Sequence, residues 1–273
     1  MATATMKRDS DETMSSRESQ RLIVTWQHPT TRAVSPVGVL SYDGVIYSFD
    51  YLLGADAVEG FKSLLGFSDR TESYASADLF PIFAQRVMDP RRPDFQRYVE
   101  DLGLREDASP WEQLTRSGGG KESDTLQLFP VPHFRDGAWT CYILLHGMRH
   151  LLEKDVLLGD VKRARYSPAD FEGVLEGLIV GDQLVIEHER TNTFSDHALV
   201  ATTTGQMPLG WVPDWFSGEV FELEKQGCLS LLVERANPIE AGWHMRLLVK
   251  MAADCAADYQ FFGGDLWKLA SAE

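Results

Sequence analysis

Short apolar runs broken by turn residues dominate this chain, and helical periodicity takes over in only a few stretches. Residues 21–27 (RLIVTWQ) read as a strand, rich in β-branched and aromatic side chains. Residues 37–42 and 45–51 are two further β runs on either side of Asp43-Gly44. That pair predicts a hairpin with a type I′ turn, which needs positive φ at both central residues. From residue 56 to 104 the pattern turns helical. Phe95, Tyr98, Val99 and Leu102 recur at i, i+3, i+4 and i+7, behind Pro93-Asp94 and ahead of Gly103. Residues 79–88 predict a second short helix with Pro81 in its first turn, and 110–116 one more turn.

After the glycine run at 117–121 (SGGGK) the pattern is again mostly β. Residues 125–131 and 139–145 predict strands joined by Asp136-Gly137. Residues 181–213 (GDQLVIEHERTNTFSDHALVATTTGQMPLGWVP) carry the most structured pattern of the chain. Two β runs, 184–186 and 198–202, enclose a polar loop at 188–197, and a turn with Gly205 precedes the apolar segment 209–212 and Pro213. Residues 215–226 predict a helix, 228–234 and 243–251 a final strand pair, and the aromatics of 256–273 a tail packed on the body. This is an α+β arrangement.

A length of 273 residues with 44% hydrophobic side chains supports a sizeable core in one or two domains. The net charge of −15 repels phosphates and anionic membranes at long range, so nucleic-acid binding needs a local basic patch. The one beside the central motif is Lys162, Arg163 and Arg165. Residues 1–20 are polar with mixed charge, a composition that predicts a disordered tail. They lack the apolar core of a signal peptide, and no apolar run approaches the ~20 residues that span a bilayer. Three cysteines without a CxxC pair read as reduced thiols, and a cytoplasmic protein is expected.

Chemistry-bearing motifs are sparse. The SGGGK run lacks phosphate-loop spacing and reads as a flexible loop. His146 and His150 stand four apart, but they follow a β run and have no third ligand fixed in sequence, so no metal is expected. His188 and His197 flank the central loop and are placed to approach across a hairpin. Glu187, Glu189 and Asp196 read as a solvated acidic rim. There is no nucleophile elbow and no cysteine in a reactive context, so the reading is non-enzymatic and without cofactor.

Residues 181–213 resemble a HIRAN domain, a small β-barrel module. The features that match are Gly181-Asp182, the β run 184–186, the loop 189–196, Ala198-Leu199-Val200, Gly205 and the closure Leu209-Gly210-Trp211-Val212-Pro213. Gly147-Met148-Arg149-His150 is similar to the family's Gly-x-Arg-aromatic element, and the likeness extends over about 139–250. It implies a loop that holds the 3′ end of single-stranded DNA. An aromatic stacks on a base, Asn and Arg contact the backbone, and Asp accepts from the terminal hydroxyl. Transferred by position, these are Phe194, Asn192 and Arg149, with Ser195 where the Asp is expected, Asp196 one residue late, and His150 in place of an aromatic phenol. Lys162 and Arg163 would supply phosphate contacts.

Residues 35–100 are similar to the N-terminal subdomain of HipA-type toxin kinases, on 36–40, 42–49 and Leu79-Phe80-Pro81-Ile82-Phe83. The kinase's catalytic motifs are absent from the chain, so no kinase activity is implied. Together the resemblances predict an α+β chain in which a small β hairpin/helix module (21–124) precedes a HIRAN-like β-barrel (125–255) with an insertion at 151–178. They imply a DNA-associated protein that binds single-stranded or damaged ends, with repair as its setting. The alternative is a protein-interaction module, antitoxin-like or docking on a repair partner, with the barrel as scaffold.

Overall fold

The computed structural model describes residues 20–31, 33–119, 125–190, 192, 195 and 197–272. The expected N-terminal tail lies almost wholly outside the described residues, as do the last two residues of the SGGGK run. The architecture is mixed α+β, with antiparallel sheets and short helices.

The first sheet begins with β1 (Gln20–Gln27), β2 (Val34–Tyr42), β3 (Tyr47–Tyr51) and β4 (Tyr74–Ser76). Three helices follow, α1 (Pro81–Ala84), α2 (Phe95–Asp101) and α3 (Pro110–Ser117). Strand β5 (Leu126–Pro130) then pairs with β1, giving the order β4-β3-β2-β1-β5. Residues 126–130, expected to open the second module, therefore lie in the first sheet. α3 starts where its sequence says it should. Ser109 accepts from the Glu112 backbone N–H, and the Glu112 carboxylate accepts from the Ser109 N–H, a reciprocal capping box.

The second sheet contains β6 (His133–Arg135) and β7 (Ala138–Leu144). After them come α4 (His150–Glu153), the small hairpin of β8 (Val156–Leu158) and β9 (Val161–Arg163), and α5 (Pro168–Glu176). The chain continues through β10 (Gln183–His188), β11 (Leu199–Thr203), β12 (Pro208–Trp211), α6 (Asp214–Lys225), β13 (Leu229–Ala236) and β14 (Leu247–Ala253). Among the described residues this sheet has the order β12-β11-β10-β13-β14-β7-β6. Its far edge folds back on the chain leaving β7. His146 N–H donates to the Trp211 carbonyl at 2.8 Å, and Trp211 N–H donates to the His146 carbonyl at 2.9 Å.

Strand alternation explains why the two sheets share a core. On β1, Leu22 and Val24 pack with Leu40, Phe49, Trp111 and Leu128 on one face. Ile23, on the other, joins Phe129, Val131 and the apolar face of the second sheet. A strand buried on both sides reads as a continuous apolar run, which is what Leu22-Ile23-Val24 is. The C-terminal segment seals the seam. Phe261 packs on Trp139, Phe262 on Trp267, Leu53 N–H donates to the Lys268 carbonyl, and Ser271 Oγ donates to Asp50 at 2.6 Å.

Turn geometry differs from expectation at Asp43-Gly44. Gly44 has φ of 98°, but Asp43 does not enter the left-handed region. Instead its carboxylate accepts the Val45 and Ile46 N–H groups, each at 2.8 Å, and the turn widens to 43–46. The two-residue turn with positive φ throughout is Asp136-Gly137, at 53° and 86°, between paired Arg135 and Ala138. Asp side chains that bond backbone amides two and three residues on are an alternative to the I′ geometry, and here that alternative wins.

Candidate functional site

The loop after β10 is held from below by one carboxylate. Glu189 is only 4% exposed, and its Oε2 accepts from Trp211 Nε1 and from Asn192 Nδ2, both at 2.7 Å. The backbone repeats the tie, since Glu189 N–H donates to the Ala198 carbonyl and Asn192 N–H to the Glu189 carbonyl. Asn192 Oδ1 in turn accepts the Ser195 N–H at 3.1 Å. Lys154 approaches from α4's end, its Nζ 3.9 Å from Glu189 Oε1 and 5.6 Å from the Trp211 ring centroid. Glu189 was expected on a solvated acidic rim. It is buried because β10 and β11 bracket it, and burial is tolerated because two donors and a nearby ammonium satisfy it.

Gly147 supplies the close approach that this hub needs. Its φ is 66°, and a Cβ built there would stand 2.8 Å from Trp211 Cε3, so a side chain would displace the indole. The chain can thus turn from the His146 bridge into α4 directly against the Trp211 face.

Around this hub the structure gathers most of the residues singled out in the sequence. Arg149 and His150 stand exposed at the start of α4, and both meet Glu153, at 3.3 Å and 3.0 Å. Lys162, exposed on β9, pairs with Asp155 at 2.8 Å. Hydrogen bonds from Lys162 and from the Arg165 N–H hold the Asp155 carboxyl below the usual carboxylate range. Arg163 Nη2 donates to Gln206 Oε1 in the β11–β12 turn, while its buried Nε has no hydrogen-bond acceptor among the described residues. Gly159 N–H donates to the His188 carbonyl, which pins the β8–β9 hairpin beside the loop. Ser195 Oγ accepts from the His197 N–H at 3.4 Å. Phe194 and Asp196 lie outside the described residues.

His146 and His150 do not share a helix face. The first is in the bridge to Trp211, and the second opens α4. No group of three His, Cys, Asp or Glu side chains suited to a metal occurs among the described residues. His188 and His197 both pack against Phe221 of α6, each ring centroid 5.9 Å from it. Sequence reasoning missed Glu189, Lys154 and Trp211 as the hub. Strand alternation gave no signal for Glu189, since residue 189 has the parity of Val185, which is exposed.

No protein-family model matches the chain, and no curated protein does. A crystal structure of a protein from Lactobacillus plantarum is similar over 43% of this chain and 97% of its own, at 17% identity and a TM-score of 0.30.

Proposed function

We propose that the face formed by α4, the β8–β9 hairpin and the 188–197 loop is a weak, salt-sensitive surface for an unpaired nucleic-acid end, and that the protein acts without catalysis. The observation behind this reading is a local reversal of charge. Residues 149–165 hold five Lys or Arg against three Asp or Glu, within a chain of net charge −15. Arg163 and Arg165 are in no ion pair with a carboxylate among the described residues, Lys154 meets Glu189 only at 3.9 Å, and the hairpin that carries Arg163 is hydrogen-bonded to the loop region. The resemblance to HIRAN modules fits the same place, and the His146–Trp211 bridge, which draws the sheet's far edge toward β7, favours a barrel-like reading of it. A cytoplasmic setting belongs to this reading. Among the described residues no helix is long and apolar enough to cross a membrane.

Three cations released to phosphates predict a slope of about −2 in log K against log salt for a single strand. Fluorescence anisotropy with a labelled oligothymidylate bearing a free 3′-hydroxyl tests it. Binding should weaken by about a hundredfold between 20 and 200 mM salt. Phe194→Ala should weaken it at least tenfold, consistent with the roughly 1–3 kcal/mol of one base stack. Arg165→Glu, on an exposed side chain, should weaken it while leaving the fold intact.

One observation favours the second reading, a protein-docking scaffold. Asn192 is turned inward onto Glu189, and Arg149 and His150 share Glu153. An oligonucleotide that shows no salt-dependent binding at low ionic strength removes the first reading and leaves the second.

A further inference from the structure

Between the two sheets lies a cleft of about 270 Å³, remote in character from the basic face. Its walls are β5 and β7, and its rim holds the end of α3 and the start of α6. Three features set it apart. First, no Asp or Glu is among its described lining residues, although the chain has 41, while Arg116, His146 and His244 all line it. Second, aromatic side chains form much of its walls. Trp215 stacks on Phe129 with ring centroids 4.1 Å apart, and the Arg116 guanidinium lies 3.2 Å from the Tyr142 ring centroid. Third, two of its donors are poorly matched. Trp215 Nε1 is buried with no hydrogen-bond partner among the described residues. Arg116 is nearly buried, yet its Nη1 meets Glu234 at 3.7 Å and the Leu102 carbonyl at 3.5 Å. Both contacts are longer than a charge-assisted hydrogen bond, which runs about 2.7–2.9 Å.

Buried donors without acceptors are rare in folded proteins, and each calls for an explanation. A pocket of aromatic walls with a few convergent donors is the ordinary form of a small-molecule site, and this volume lies just under the usual range of roughly 300–1,000 Å³. We propose that this cleft binds a small aromatic carboxylate. Its ring would lie against Trp215, Phe129 and Tyr142, and its carboxylate would accept from Arg116 and the Trp215 indole N–H, with His146 and His244 alongside. No carboxylate is among the described lining residues, which lessens the repulsion an anion meets there, and the anion would compete with Glu234, 3.7 Å away, for Arg116.

The test uses the full chain, isothermal titration calorimetry and thermal-shift measurements with three probes. These are 2-naphthoate, the neutral isostere 2-naphthamide, and acetate, which has the charge without the ring. 2-Naphthoate should bind saturably and at least tenfold more tightly than either control, and should raise the melting temperature. Trp215→Phe keeps an aromatic face and removes the N–H, so it should weaken 2-naphthoate at least fivefold without changing the amide. His244→Asn, on an exposed side chain, should weaken the acid more than the amide. The proposal is overturned if the amide binds as well as the acid, if Trp215→Phe leaves the acid's affinity unchanged, or if 2-naphthoate does not bind up to millimolar concentration.

Discussion

Removing the Glu189 side chain gives the most direct measure of how the loop is held. Glu189→Ala leaves Trp211 Nε1 and Asn192 Nδ2 without their acceptor beneath a surface that admits little water. A buried donor left unsatisfied costs about 1–3 kcal/mol, so the pair predicts a loss of roughly 2–5 kcal/mol. Glu189→Gln separates the hydrogen bonds from the charge. Both bonds converge on Oε2, so a single amide oxygen at that position still accepts both. What is lost is charge assistance, worth about 1 kcal/mol per bond, offset in part because a neutral amide is easier to bury than a carboxylate. The Gln variant should therefore lose about 1–2 kcal/mol, well short of the Ala variant.

Urea unfolding followed by tryptophan fluorescence measures both, since Trp211 itself reports on the site. On a chain of this size each kcal/mol moves the melting temperature by about 2–4 °C. Glu189→Ala should thus melt roughly 5–15 °C below the parent protein, with the Gln variant in between. A Glu189→Ala protein within about 0.5 kcal/mol of the parent, the range of ordinary surface substitutions, would refute the claim that this carboxylate organises the loop.

Three further outcomes follow from the same geometry. Gly147→Ala combines a φ of 66° with a 2.8 Å approach to the Trp211 ring, and should cost roughly 2–4 kcal/mol in urea unfolding and shift the fluorescence maximum. Glu172→Gln breaks a bidentate pair with Arg246, whose side chain is 1% exposed, at 2.8 and 2.7 Å. It should cost about 3 kcal/mol by chemical denaturation, because a buried guanidinium loses its counter-charge. His146 is open to the cleft on one side, but the surrounding protein, and after it the neighbouring His244, hold its pKa below the ordinary imidazole value of 6.5. The unfolded chain therefore binds this proton more readily than the folded one. The stability that His146 contributes is present above that ordinary value and declines as pH falls from there through the depressed one. His146→Gln should flatten the stability-versus-pH curve between about pH 7 and pH 5, as measured by urea midpoints.

Local signals in the sequence identified most elements but not their partners. The 95–102 stripe, the turn at 110–116 and the β runs at 21–27, 184–186 and 198–202 are visible because each depends on residues close in the chain. Residues 126–130 were assigned forward, to the strands that follow them, because sequence order says nothing of the long-range pairing with β1. Asp43-Gly44 shows a second limit. The dipeptide allows either a two-residue turn or a side-chain-capped wider one, and the competing Asx bonds decide it. At the site, the loop and its basic neighbours were legible as charge and motif. Glu189 was not, since a carboxylate between two other acids reads as surface until Trp211 and Asn192 are seen to converge on it.

That convergence also sets the two candidate ligands apart physically. At the α4 and β9 face, cations and carboxylates alternate over a few residues, so attraction to phosphate survives only as the remainder after Glu153 and Asp155 have been subtracted. Such a remainder is exposed and screened within about 10 Å at 0.1 M salt, and it makes affinity depend steeply on ionic strength. In the inter-sheet cleft the cation is nearly buried, no Asp or Glu is among the described lining residues, and the carboxylate that meets the cation, Glu234, stands 3.7 Å away. There the lower local dielectric strengthens each donor, and salt screens it little. The two sites should therefore separate under one variable. Raising salt from 20 to 200 mM should abolish most oligonucleotide binding, while 2-naphthoate affinity changes by less than about threefold. A 2-naphthoate affinity that falls in parallel with the oligonucleotide's would place the acid on the exposed basic face and not between the sheets.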